Sequence, residues 1–163
     1  MSDAIRAVLL DKRHRGMTGV CETLLYMASR AQLIAEVVKP KLQKGMVVLC
    51  DRWLDATVAY QGFGEGVDVP WIRSLGREVT QGVTPDLSLY IDLPIEIGLA
   101  RAKRRHQADR MEKKGIAFHR RVRQGYRYLA KTDGRRFRRI AVSEKDSPAM
   151  IHERIQKAVR RVV

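Results

Sequence analysis

The stretch Val47-Val48-Leu49-Cys50-Asp51-Arg52-Trp53 constrains the fold more than any other. Four consecutive apolar residues, two of them β-branched, predict a strand buried on both faces, as a central strand of a parallel sheet is. Gly45 separates it from the helix before it. Asp51 and Arg52 then stand at the strand's carboxyl end, where open α/β sheets bind ligands. A structural ion pair closing the strand is the competing reading of Asp-Arg alone.

The rest of the chain alternates helical and extended patterns. Ser2-Asp3 cap a first helix carrying Ile5, Val8 and Leu9. A long helical pattern covers residues 19–44, with a kink or break expected at Pro40. Gly62, Gly64 and Gly66 alternate after the 47–50 strand and predict a mobile or tightly turned loop over residues 53–66. Asp68 and Pro70 open a helix ending near Gly82. Leu87 to Ile91 read as a second strand, ending at Asp92, and Pro94 starts a helix to about Arg105. A helix over 117–131 follows, then an arginine-rich edge strand over 137–142. Ser147-Pro148 cap a last helix whose Ile151, Ile155, Ala158, Val159 and Val162 face inward. This order predicts one α/β domain over residues 1–163, with a parallel sheet and crossover helices. Three strands are few for such a domain.

Charge narrows the partners. The formal net charge is +14 over 163 residues. Residues 101–139 hold 16 Lys and Arg against Asp109, Glu112 and Asp133, a local excess of 13. Such a segment attracts polyanions without choosing among them. No apolar run reaches the ~18–20 residues that a membrane span needs. Cys21 and Cys50 form no C-x-x-C pair, and Cys50 is expected in the buried strand, so the usage fits a reducing, cytoplasmic setting.

Three segments carry chemistry. Leu24-Leu25-Tyr26-Met27-Ala28-Ser29-Arg30 places Tyr26 and Arg30 one helical turn apart on one face. Asp51-Arg52-Trp53 leads to Thr57-Val58-Ala59-Tyr60-Gln61-Gly62. Asp109-Arg110-Met111-Glu112 leads to Phe118-His119-Arg120-Arg121-Val122-Arg123 and Tyr126. With Thr84-Pro85-Asp86 and Asp92-Leu93-Pro94-Ile95-Glu96, their order and separation resemble thymidylate kinase, a P-loop nucleoside monophosphate kinase family, over the whole chain.

The resemblance implies a three-layer P-loop kinase-like fold. It also implies transfer of the ATP γ-phosphoryl group to dTMP, with Mg²⁺. Tyr26 would stack on the thymine and Arg30 would donate to its carbonyl edge. Arg52 would clamp the acceptor phosphate, because a planar guanidinium binds two phosphate oxygens at once. Thr57 and Gln61 would add hydrogen bonds in the same pocket. Asp51 would orient Arg52 or a magnesium-bound water. Arg101, Arg105 and Arg110 fall in the family's lid over the donor triphosphate, residues 101–115. Arg52, Arg105 and Arg110 are therefore the expected transition-state stabilisers. The lid is expected to be the most mobile part of the chain after the termini. A homodimer is also implied.

One departure is large. No G-x-x-x-x-G-K-[ST] phosphate loop occurs in the sequence. The expectation is either a true start upstream of Met1 or a gene remnant, and a 163-residue chain that turns over dTMP poorly. Two other readings stay open. One is a different deoxynucleotide or nucleoside kinase, against which the Leu-Leu-Tyr-x-x-x-Arg and Ala-Tyr-Gln-Gly pairing argues. The other is a basic nucleic-acid-binding or regulatory protein built on a kinase remnant.

Overall fold

The computed structural model describes residues 1–163 apart from Arg15, 104–109, 112, 113, Arg161 and Val163. The first helix, α1 (Ser2–Leu10), buries Leu9 and lies along α2 (Gly19–Leu33). Ser2 does not cap α1 with its side chain. Its hydroxyl instead donates to the Ser29 carbonyl at 3.0 Å, and Ser29 Oγ returns a bond to the Ser2 carbonyl at 3.4 Å. Thr18 caps α2 by accepting from the Cys21 amide.

The expected break near Pro40 takes a definite form. A π-helical stretch, Ile34–Val38, leads directly into α3 (Lys39–Gln43). Proline offers no N–H to the preceding turn and its ring crowds that turn's carbonyl, so the helix widens by one residue just before it. Ile34 and Val38 stay buried there against Trp53.

The 47–50 strand does not form. Residues 46–50 pair with no strand among the described residues; Val47 is 73% and Leu49 93% exposed, and Cys50 is exposed too. A strand needs a neighbour to satisfy its backbone and cover its faces. Without one, only Val48 packs, against the Ile34–Val38–Trp53 cluster.

The expected glycine loop is also absent as such. Residues after Trp53 form α4 (Leu54–Thr57), continued by a second π-helical stretch, Val58–Gly64. Its glycines serve close packing. A Cβ on Gly64 would stand 2.6 Å from Phe118 Cε2, and one on Gly62 2.9 Å from Val69 Cγ2. Only Gly66 lies in the left-handed region, at φ +79°. The 54–64 segment thereby becomes the buried middle of the molecule.

Around it stand α5 (Val69–Thr80), capped by Asp68, and α7 (Ile116–Thr132). Met27, Val58, Ile72, Leu129 and Phe137 make one core cluster; Ala59, Met111, Phe118 and Val122 make another. Arg121 donates twice to the Gly64 carbonyl, at 3.1 and 2.7 Å, ending the π-helical stretch on α7.

The sheet has two strands among the described residues rather than three. The first, β1 (Ser88–Asp92), pairs in parallel with β2 (Phe137–Ala141), from Ser88 opposite Phe137 to Asp92 opposite Ala141. The connection passes through α6 (Ile95–Lys103) and α7. Asp55 pins α4 to this sheet, accepting from Arg136 at 2.8 and 2.7 Å and from Ser88 at 2.9 Å. Finally α8 (Pro148–Val159), capped by Ser147, packs on β2. Its inward residues are only half-buried, and Val162 is exposed. Of the proposed lid, residues 104–109 and 112–113 lie outside the described residues.

Candidate active site

The site is a ladder between two helices. On α2, Glu22, Tyr26 and Arg30 follow at intervals of four and form one stripe. On the 54–64 segment, Thr57 and Gln61 do the same. Two cross-links join them. Arg30 donates from Nη2 to Thr57 Oγ1 at 3.1 Å, and Gln61 donates from Nε2 to Glu22 Oε2 at 3.0 Å. Tyr26 sits between the two rungs in sequence. The structure thus links Arg30 with Thr57 and Glu22 with Gln61, and Thr57 and Gln61 sit on a helix rather than the expected loop.

Arg30 is held from three sides. Its Nη2 also donates to the Trp53 carbonyl at 3.2 Å, and its guanidinium lies 5.7 Å from the Trp53 ring centroid. Burial pulls its pKa down to about 10, with the Asp55 carboxylate opposing. Burial raises the Tyr26 phenol above its ordinary value, and the Glu22 carboxylate adds to the effect. The ring is therefore a neutral apolar face with a polar rim near neutral pH.

Arg52 reaches the same region from the other end. Its backbone is left-handed, at φ +72°, a conformation that strains a side chain of this size. Its guanidinium lies 4.9 Å over the Tyr60 ring. Asp51 is exposed beside it and is not hydrogen-bonded to it.

The three lid arginines separate. Arg101 is exposed on α6 and Arg105 lies outside the described residues. Arg110 is 8% exposed and committed: Nε donates to the Leu9 carbonyl at 3.0 Å, and Nη1 pairs with Glu22. Lys114 joins the same carboxylate at 3.3 Å and also pairs with Glu65.

Glu22 is the residue that sequence reading missed. It is fully buried, at 0% exposure, and serves Arg110, Lys114 and Gln61 together. Its signal was its place one turn before Tyr26. A first-turn helix acid ordinarily reads as a dipole partner, which hides such a role.

Among the described residues, no group of three or more His, Cys, Asp or Glu comes together. Asp51 alone does not make a Mg²⁺ cage, which takes six oxygens. Among the described residues, then, the side chains do not build an all-protein Mg²⁺ cage, and Asp51 is the single carboxylate placed beside Arg52. Among the described residues no helix is long and apolar enough to cross a membrane.

Comparison with known proteins identifies the family. The thymidylate kinase family model matches residues 1–155. The chain is 44% identical over 147 residues to a thymidylate kinase of Desulfovibrio desulfuricans, covering 86% of this chain and 68% of that one. It is 43% identical over 165 residues to one from Trichlorobacter lovleyi, covering 98% and 77%. It is 48% identical over 135 residues to one from Trichodesmium erythraeum, covering 82% and 60%. The crystal structure of thymidylate kinase from Ehrlichia chaffeensis superposes with a TM-score of 0.74 at 27% identity, covering 97% of this chain and 72% of that one. This chain belongs to the thymidylate kinase family.

Proposed function

We propose that this chain takes dTMP as acceptor, in the reaction ATP + dTMP → ADP + dTDP. A phosphate oxygen of dTMP attacks the γ-phosphorus, and the bond to the β-phosphate oxygen breaks, leaving ADP. The observation that carries the reading is the ladder in which Arg30 donates to Thr57 and Gln61 donates to Glu22, on either side of Tyr26 in the α2 stripe. Tyr26 stacks on the thymine and Arg30 donates to its carbonyl edge. Arg52 clamps the monophosphate. Glu22 positions Gln61 and holds Arg110 against the pocket. Asp51 would accept from a water of the Mg²⁺ that comes with ATP, and that ion would supply charge neutralisation at the phosphates. Arg101 and Arg105 of the lid neutralise the donor's charge as phosphoryl transfer requires, whereas Arg110, expected in the same role, is spent on Glu22 and the Leu9 carbonyl. The family also suggests a cytoplasmic homodimer.

Calorimetric titration with dTMP tests the acceptor site. One charge-assisted hydrogen bond contributes roughly 1.5–3 kcal/mol, so Arg30→Met should weaken dTMP at least tenfold. Arg52→Met should do likewise, with its far-UV circular dichroism and Tm measured alongside to show that the fold is kept. Equal dTMP affinity in wild type and Arg52→Met would sink the proposal. A coupled ADP-release assay reads the donor side separately. No Gly-Lys-Ser or Gly-Lys-Thr occurs in this sequence, so the 163-residue chain is expected to bind dTMP but to turn over well below ~1 s⁻¹, the lower end for kinases.

A further inference from the structure

A second basic centre lies away from the ladder, where α7 crosses the sheet. Its anchor is Asp92 at the carboxyl end of β1, 2% exposed. Three arginines reach this one carboxylate. Arg123 donates from Nε to Oδ1 at 2.6 Å, Arg127 from Nε to Oδ2 at 3.2 Å, and Arg139 from Nε to Oδ2 at 2.7 Å. Tyr90 also donates its hydroxyl to Oδ1, at 3.0 Å. Three positive charges on one negative leave a local excess of two.

The geometry of approach decides where that excess points. Arg139 uses only Nε on Asp92, so both of its terminal nitrogens carry no partner among the described residues. Arg127 adds one terminal contact, Nη2 to Oδ2 at 3.1 Å, and keeps Nη1. Asp92 thus fixes the arginine stems, and their outer edges face away from it. Both side chains remain about half exposed, at 47% and 45%.

These edges line one cleft. Arg127, Ala130, Lys131 and Arg139 enclose an open volume of about 420 Å³ between α7 and β2. Arg123, Arg127 and Lys131 lie at i, i+4 and i+8 on α7, so they share one stripe. No acidic side chain other than Asp92 pairs with Arg127 or Arg139 among the described residues. The depression is open to solvent, so a small anion would be gripped from one side only. Its walls are two oriented guanidiniums and one ammonium, groups that bind phosphate oxygens bidentately or as point charges.

We propose that the cleft walled by Arg127, Lys131 and Arg139 binds a diphosphate group, free or carried on a nucleotide. Arg139 and Arg127 grip it with their outer nitrogens, and Lys131 neutralises the far phosphate. The site is separate from the acceptor ladder and does not rest on the dTMP reading.

The experiment titrates the 163-residue protein with sodium pyrophosphate, ADP and adenosine at constant ionic strength, read by calorimetry and by the shift in Tm. Pyrophosphate is expected to bind saturably and raise Tm, and adenosine to do neither. ADP binding tighter than pyrophosphate would assign the nucleotide source; equal binding would assign the free diphosphate. Lys131→Glu leaves every bond to Asp92 in place and should weaken pyrophosphate at least tenfold, with dTMP binding unchanged. Arg139→Gln should weaken it as well. Arg52→Met should leave pyrophosphate unaffected. The proposal is overturned if pyrophosphate does not saturate, if Lys131→Glu binds it as wild type does, or if Arg52→Met abolishes it.

Discussion

Two carboxylates organise the charge of this molecule, and each predicts its own response. Glu22 is fully buried among Arg110, Lys114 and Gln61. Removing one member of a buried ion pair leaves the others uncompensated and costs roughly 3–5 kcal/mol. Glu22→Gln should lower the urea midpoint accordingly, and a variant within 1 kcal/mol of wild type would show the cluster to be slack. Asp92 adds a pH dependence. Burial pushes its pKa up, and bonds from Arg123, Tyr90 and Arg127 outweigh this, so the net direction is downward. A depressed folded-state value means the contribution is present above the unfolded value, about 3.9, and is lost as pH falls through the folded one. Stability measured from pH 7 to pH 2 should therefore fall less steeply in Asp92→Asn, which starts lower by about 3 kcal/mol. The Tyr26–Arg30 pair was legible in the sequence because helical spacing is local. Arg110 on Glu22 was not, because nothing in local spacing marks a partner 88 residues away.

At the scale of elements, the helices were legible wherever a cap and an apolar period coincided. Asp68 before Val69–Thr80 and Ser147 before Pro148–Val159 both cap as their sequence suggests. The 53–66 segment misled because its glycines were read for conformational freedom. Their use is contact, which depends on residues such as Phe118 and Val69 far along the chain. Two other glycines, each inside a helix, separate the effects. Gly98 in α6 has only Leu93 Cδ2 near an added Cβ, at 3.9 Å. Gly98→Ala should stabilise by about 0.5–1 kcal/mol through the unfolded chain's lost freedom. Gly125 in α7 would place a Cβ 2.9 Å from Phe63 Cδ2 and 3.0 Å from the Ala59 backbone. Gly125→Ala should destabilise by roughly 1–3 kcal/mol. Thermal unfolding of the two variants should move in opposite directions; a shift of the same sign would refute the packing account.

Over the whole molecule, the segment at 46–50 is the place where sequence and structure part. Its apolar run encodes a strand, yet strand formation is a property of a pair, and no described residue pairs with it. Met46, Val47 and Leu49 therefore face outward, with Leu42 nearby in sequence and also exposed. Contiguous exposed apolar surface drives association. Light scattering should show concentration-dependent self-association, reduced in a Val47→Lys, Leu49→Lys double variant. Equal scattering from both proteins would acquit the segment.

The pairing of β1 with β2 sets a kinetic consequence. Ser88 meets Phe137 across almost fifty intervening residues, and α7 lies between them in the chain. Closing so long a loop costs entropy before any strand contact is made. Docking of α7 on the 54–64 segment would shorten that loop before the strands meet. In stopped-flow refolding, Val122→Ala within α7 should slow folding, while Ile155→Ala on α8 should chiefly speed unfolding. On this account refolding is expected to be limited by the docking of α7, which carries the two described strands, Ser88–Asp92 and Phe137–Ala141, within reach of each other.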